Sequence, residues 1–105
     1  MSAFFVVRID EEALQEAHEL RERDAVMFKK FVGFVNQLEQ HGVQTPHVKK
    51  LVGTKNGWRY DFGRYRALFS LDGDMITIWL VVMEKDTRKD YQRWITYLLQ
   101  SGKMK

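Results

Sequence analysis

The chain of 105 residues carries 17 Lys and Arg against 14 Asp and Glu, one Pro and no Cys, for a formal net charge of +3. A single domain spanning residues 1–105 is expected, large enough to bury roughly 60–70% of its unfolded surface. The 45% of hydrophobic and 13% of aromatic residues supply a core. The lack of cysteine excludes disulfide frameworks, thiolate zinc sites, cysteine nucleophiles and thiol redox chemistry, and fits a reducing compartment.

The small total charge hides an asymmetry about Pro46: residues 1–45 hold 5 Lys and Arg against 8 Asp and Glu, whereas residues 46–105 hold 12 against 6. An acidic first half and a basic second half point the second toward a polyanion such as RNA or DNA, although a solvated basic face explains the excess equally well on charge alone. The apolar runs Phe4–Val7 and Met75–Met83 are too short for a signal peptide core or a membrane span, so a cytoplasmic protein without a membrane partner is expected.

In chain order, Ala3–Ile9 reads as a strand rich in aromatic and branched residues. Asp10 then suits an N-cap, with Glu11 and Glu12 in the first turn of a helix whose apolar positions are Ala13, Leu14, Ala17 and Leu20. Asp24 is a second cap, followed at helical spacing by Met27, Phe28, Phe31, Phe34, Val35 and Leu38 and closed by Gly42. The resulting helical hairpin should lay its more apolar second member on a sheet. Residues 44–56 are polar and basic, with Pro46 and Gly53 as breaks, and read as a loop or edge segment.

Two period-2 runs follow, Trp58–Phe62 and Tyr65–Leu71, joined by Gly63-Arg64, a pair suited to a type II′ turn. If Phe62 faces Tyr65, then Asp61 faces Arg66 and Arg59 shares that face two residues along. Asp72-Gly73-Asp74 turns the chain into Met75–Met83, whose near-continuous apolarity predicts a central strand covered on both sides. Thr87 and Asp90 have the spacing of a capping box, ahead of a helix through Tyr91, Trp94, Ile95, Leu98 and Leu99 that stops at Gly102. The predicted fold is therefore α+β: two N-terminal helices and a C-terminal helix on a mainly antiparallel four-stranded sheet, in the order β-α-α-β-β-β-α.

Phosphate loops, His pairs at metal spacing and a nucleophilic serine context are all missing, so neither a metal nor a cofactor is expected. Arg59 and Arg66 share a hairpin face, Lys85 and Arg88 occupy the last strand-to-helix junction, and Tyr91 lies one turn into the helix. A central Met75 strand paired with the Tyr65 strand would bring that junction beside Arg66. Clustered cations repel one another unless an anion sits among them, and forked guanidinium donors around a phosphodiester are what metal-free RNA cleavage by the neighbouring 2′-hydroxyl requires. A cross-strand Asp61–Arg66 ion pair, a core Tyr91 and a solvated His47 are the ordinary structural alternatives.

Lys49-Lys50-Leu51-Val52-Gly53, Gly57-Trp58-Arg59-Tyr60-Asp61-Phe62, the hairpin Gly63-Arg64-Tyr65-Arg66, Ile76–Val82 and a basic stretch ending Arg88-Lys89-Asp90-Tyr91 together resemble the RelE/ParE toxin superfamily, including its HigB-like group. The resemblance implies the toxin of a type II toxin-antitoxin pair, a metal-independent endoribonuclease that cleaves ribosome-bound mRNA and stops translation. Its implied catalytic residues are Arg66, Arg59, Tyr91 and one of Lys85 and Arg88; Lys49, Lys50, Lys55 and Arg64 are implied to bind RNA. The implied partners are a cognate antitoxin, mRNA and the ribosome. Asp61 departs from the pattern, since RelE-like nucleases can carry a second lysine there. The same resemblance admits a ParE-like inhibitor of DNA gyrase, or an inactive module that binds antitoxin or RNA.

Overall fold

The computed structural model describes residues 4–83 and 88–105. Its elements are β1 (Val6–Ile9), α1 (Glu11–Arg23), α2 (Ala25–His41), β2 (Val48–Lys50), β3 (Gly57–Phe62), β4 (Tyr65–Asp72), β5 (Met75–Met83) and α3 (Arg88–Gln100), with a 3-10 turn at Gly42–Gln44 after α2. The strands form one sheet in the spatial order β1-β5-β4-β3-β2. The edge strand β1 runs parallel to β5, and the other pairs are antiparallel.

The α+β class and the mainly antiparallel sheet match the expectation, but the sheet has five strands among the described residues, not four. The additional member is β2, which lies in the polar segment expected to be a loop or edge and pairs with β3 through Val48↔Tyr60, Lys49↔Arg59 and Lys50↔Trp58. The element order is accordingly β-α-α-β-β-β-β-α. Three residues cannot display a period, and two lysines on an outer strand discourage edge-to-edge association, so β2 hides in a hydrophilic stretch. The first strand is also shorter than expected, beginning at Val6 and leaving Phe4 exposed.

Side-chain alternation along β4 sorts the core into two layers. Tyr65, Ala67 and Phe69 join Phe31, Phe34 and Leu38 of α2 and Ala13, Ala17 and Leu20 of α1 on one face. Leu68 points the other way, to Leu80 and Val82 of β5 and to Ile95 and Leu98 of α3. The strand β5 is thus covered on both faces. A β-bulge interrupts its register with β4: Leu68 pairs with Leu80 but Phe69 pairs with Ile78, leaving Trp79 as the extra residue. Trp79 and Leu80 consequently both serve the α3 layer, and the Trp79 indole Nε1–H donates to the buried Ser70 hydroxyl at 2.9 Å. The chain after α3 returns to the same layer, with Met104 buried and the Lys105 carbonyl accepting from the Lys55 and Asn56 amides.

The break between α1 and α2 is made by Asp24, whose carboxylate accepts from the Met27 amide at 3.2 Å. Asp24→Ala should lower stability by about 1 kcal/mol in chemical denaturation, the usual loss for an N-cap side chain. Asp10 occupies the corresponding position of α1 without a side-chain cap bond.

Glu16 of α1 reaches across to β5, where its Oε1 accepts from the Val81 amide at 2.8 Å. Beyond Ile9↔Ile78 the strand β1 has ended, so the carboxylate satisfies a backbone donor that has lost its neighbouring strand. Burial pushes the Glu16 carboxyl up to about 7, with Glu12 and Glu19 adding repulsion and the Val81 hydrogen bond opposing. Because the folded state holds this proton more tightly than the unfolded chain, its stabilising contribution is complete below about pH 4.5 and is lost as pH rises through about 7. Glu16→Gln keeps an acceptor for Val81. Thermal melts should show the variant flatter between pH 5 and 8 and more stable than wild type at pH 8 by on the order of 1 kcal/mol, a figure reduced for the partial exposure of the group.

Candidate functional site

The β3–β4 hairpin is built by aromatic residues on one face and charge on the other. Tyr60 and Phe62 stack in sequence with Tyr65 beneath α2, at centroid separations of 5.5 and 5.7 Å. Their burial leaves Arg59, Asp61 and Arg66 pointing to the α3 side, since Asp61 pairs with Arg66, and Arg59 with Leu68. The turn has Gly63 at φ 60° with Arg64 outside the positive-φ region, the signature of type II′. A Cβ on Gly63 would also lie 2.5 Å from Met27 Sδ, so the position combines a left-handed φ with a close approach.

On the α3 face the two arginines meet over one carboxylate. Asp61 Oδ1 accepts from Arg66 Nε at 2.7 Å, and Asp61 Oδ2 lies 3.3 Å from Arg59 Nη1. The expected Asp61–Arg66 pair is therefore present, and Arg59 shares it. The side chains are 15% exposed for Arg66, 22% for Arg59 and 26% for Asp61, open enough for an anion to approach yet partly withdrawn from screening water. Lys49, paired with Arg59, adds an exposed cation on the same face at the sheet edge.

The register Tyr65↔Met83 and Arg66↔Val82 places the end of β5 beside Arg66, as the central-strand expectation requires. Lys85 lies outside the described residues. Arg88 opens α3 and Tyr91 falls in its first turn. Covalent reach keeps the Arg88 Cα within about 18 Å of that of Met83.

The remaining predicted cations separate. Lys50 pairs with Trp58 and lies over its ring at 5.7 Å on the opposite face, while its Nζ donates to the Thr54 carbonyl at 2.6 Å. Lys55 precedes β3 at the end away from the turn, roughly 20 Å along the sheet from Asp61 at the rise of a strand. Arg64, exposed in the turn, stays near the arginine pair. No group of three or more His, Asp or Glu able to hold a metal occurs among the described residues.

An element that patterning did not expose is an open groove of about 600 Å3 on the α2 side, bordered by Lys30, Phe34, Gln37, Pro46, His47 and Tyr60. His47 adopts φ 68°, unusual for a residue with a Cβ, and its carbonyl accepts from the Asp61 amide. Lys30 sits among helical polar positions with no motif around it; the unusual φ of His47 has no counterpart in the sequence.

No family model and no curated protein sequence matches the chain. Solved structures do. The archaeal RelE of the RelE–RelB complex from Pyrococcus horikoshii superposes with a TM-score of 0.68 at 22% identity, over 80% of this chain and 99% of that one. The free state of a doubly substituted E. coli toxin RelE gives 0.69 at 13% identity, over 90% and 98%. YoeB from a Staphylococcus aureus dimer gives 0.65 at 15%, over 76% and 97%. At these identities it is the fold that is shared: the chain has the fold of the RelE and YoeB toxins.

Proposed function

We propose that this protein is a toxin of a type II toxin-antitoxin system that cleaves mRNA on the ribosome without a metal. The observation that carries the reading is the Arg59–Asp61–Arg66 cluster on the α3 face, beside the end of β5 in a RelE-like fold. Arg66 and Arg59 would hold the non-bridging oxygens of the scissile phosphate. The 2′-hydroxyl then loses its proton and attacks phosphorus, the P–O5′ bond breaks, and the departing 5′ oxygen takes up a proton. Two guanidiniums stabilise the extra negative charge as it develops. Tyr91 and the cations Lys85 and Arg88 belong to the segment that follows β5 and are proposed to complete the site, with Tyr91 stacking on a base or carrying a proton. Lys49 and Arg64 would guide the RNA backbone, and Lys50 and Lys55 would act farther out along the basic half of the chain.

The Mycobacterium tuberculosis neighbour is a toxin-antitoxin complex, and the Pyrococcus neighbour is a RelE–RelB complex. By that likeness the partner proposed for this chain is a cognate antitoxin, and the proposed compartment is the cytoplasm, where ribosomes are. No helix among the described residues is long and apolar enough to cross a membrane. Purified protein in parallel cell-free translation and gyrase supercoiling reactions separates the two toxin classes. The expected result is halted translation with shortened mRNA and unaffected supercoiling. Blocked supercoiling with intact mRNA would instead establish a ParE-like inhibitor.

A further inference from the structure

The contacts Asp61 makes are those a bound anion would make. One oxygen takes the Arg66 Nε–H at 2.7 Å and the other faces Arg59 Nη1 at 3.3 Å. Its β3 position forces this: Asp61 lies directly across from Arg66 and two residues from Arg59 on the same face. A carboxylate tethered to the sheet competes intramolecularly, at an effective concentration that a freely diffusing phosphate must exceed.

We propose that Asp61 is a built-in competitor for the phosphate site, so that a phosphodiester gains both arginines only by displacing it. This inference rests on the reading of the cluster as a phosphate-binding site. It also gives that site a selectivity: RNA free in solution is held weakly, and RNA held in place at high local concentration, as on a ribosome, is admitted. The apparent affinity of a site that is open only part of the time falls by the open fraction.

The probe is a fluorescent hexamer of 2′-O-methyl RNA, which cannot be cleaved, so that binding is read by anisotropy without turnover. Asp61→Asn removes the charge at nearly constant shape and should tighten binding about 10-fold, the scale of two partly exposed ion pairs removed together. Asp61→Ser, with a shorter side chain, should tighten it in the same direction and serves if the asparagine variant melts early. Asp74→Asn removes an equal charge from the β4–β5 turn at the other end of the sheet and should change affinity less than 2-fold. In wild type the Arg66 Nε–H resonance should shift as the hexamer is titrated, a readout that requires no variant at all.

Equal affinities of wild type, Asp61→Asn and Asp61→Ser would overturn the proposal, as would equal tightening by Asp74→Asn. Weaker binding in the Asp61 variants would show that the carboxylate orients the arginines rather than competing for them. These results leave the phosphate site itself intact. That broader reading fails separately, if Arg66→Ala binds the hexamer as well as wild type does and the Arg66 resonance does not move.

Discussion

Arg66→Ala should lower the rate of mRNA cleavage on programmed ribosomes by about 100-fold to 1000-fold, the loss typical when one fixed donor to a developing oxyanion is removed. The size of the effect follows from where Arg66 sits. It lies on β4, flanked by β3 and β5, beside the end of β5 where the Lys85–Tyr91 segment begins. Asp61 would then be left with Arg59 alone, at 3.3 Å, and the site would lose its shorter ion pair. Arg66→Lys should recover only part of the rate, because a single ammonium cannot reproduce a planar fork. Arg59→Ala should be milder, since its guanidinium is the more exposed and the more distant from the carboxylate. Single-turnover cleavage with saturating protein reads the chemical step directly, and an Arg66→Ala rate within 3-fold of wild type would remove Arg66 from the mechanism.

Phe34→Ala should produce the largest loss of stability, about 3–5 kcal/mol. The ring is 1% exposed, stacks on Tyr60 at 3.8 Å between centroids with 4° between planes, and meets Phe69 edge-on at 5.7 Å. Removing it opens a void at the junction of α2, β3 and β4, beneath the strands whose opposite face carries Asp61 and Arg66. Against a total of about 5–15 kcal/mol for a domain of this kind, the loss is a large fraction. The melting temperature should fall by about 15 °C or more. A fall under about 5 °C would mean that the aromatic layer is not the core that positions the hairpin.

Much of this arrangement was legible because it follows from periodicity. The alternation of Trp58–Phe62 and Tyr65–Leu71 gives the hairpin, and Gly63 gives its turn, so the register that joins Asp61 to Arg66 follows from the sequence pattern. Asp24 and Gly42 likewise bound α2 as their capping chemistry requires. What remained hidden depends on contacts distant in sequence. The three-residue strand β2 owes its existence to the neighbouring β3, and the bulge at Trp79 appears only when β4 and β5 are paired. Met104 and the Glu16–Val81 bond join segments far apart in the chain, and no local pattern announces them. The site shows the same division: the arginine pair came from alternation, whereas the sharing of Asp61 by both guanidiniums is a matter of rotamers. Separating Lys50 from the cluster likewise needed strand β2, because one step along a strand moves a side chain to the other face.

Attack of a 2′-hydroxyl on its own phosphate, promoted by the arginine cluster, is the chemistry proposed for this site. Its most direct test is the structure of the cut ends in mRNA recovered from ribosomes treated with the purified protein. The expected ends are a 2′,3′-cyclic phosphate on the upstream fragment and a free 5′-hydroxyl on the downstream one, both absent with Arg66→Ala. Downstream fragments bearing a 5′-phosphate, or mRNA left whole while translation stops, would contradict it.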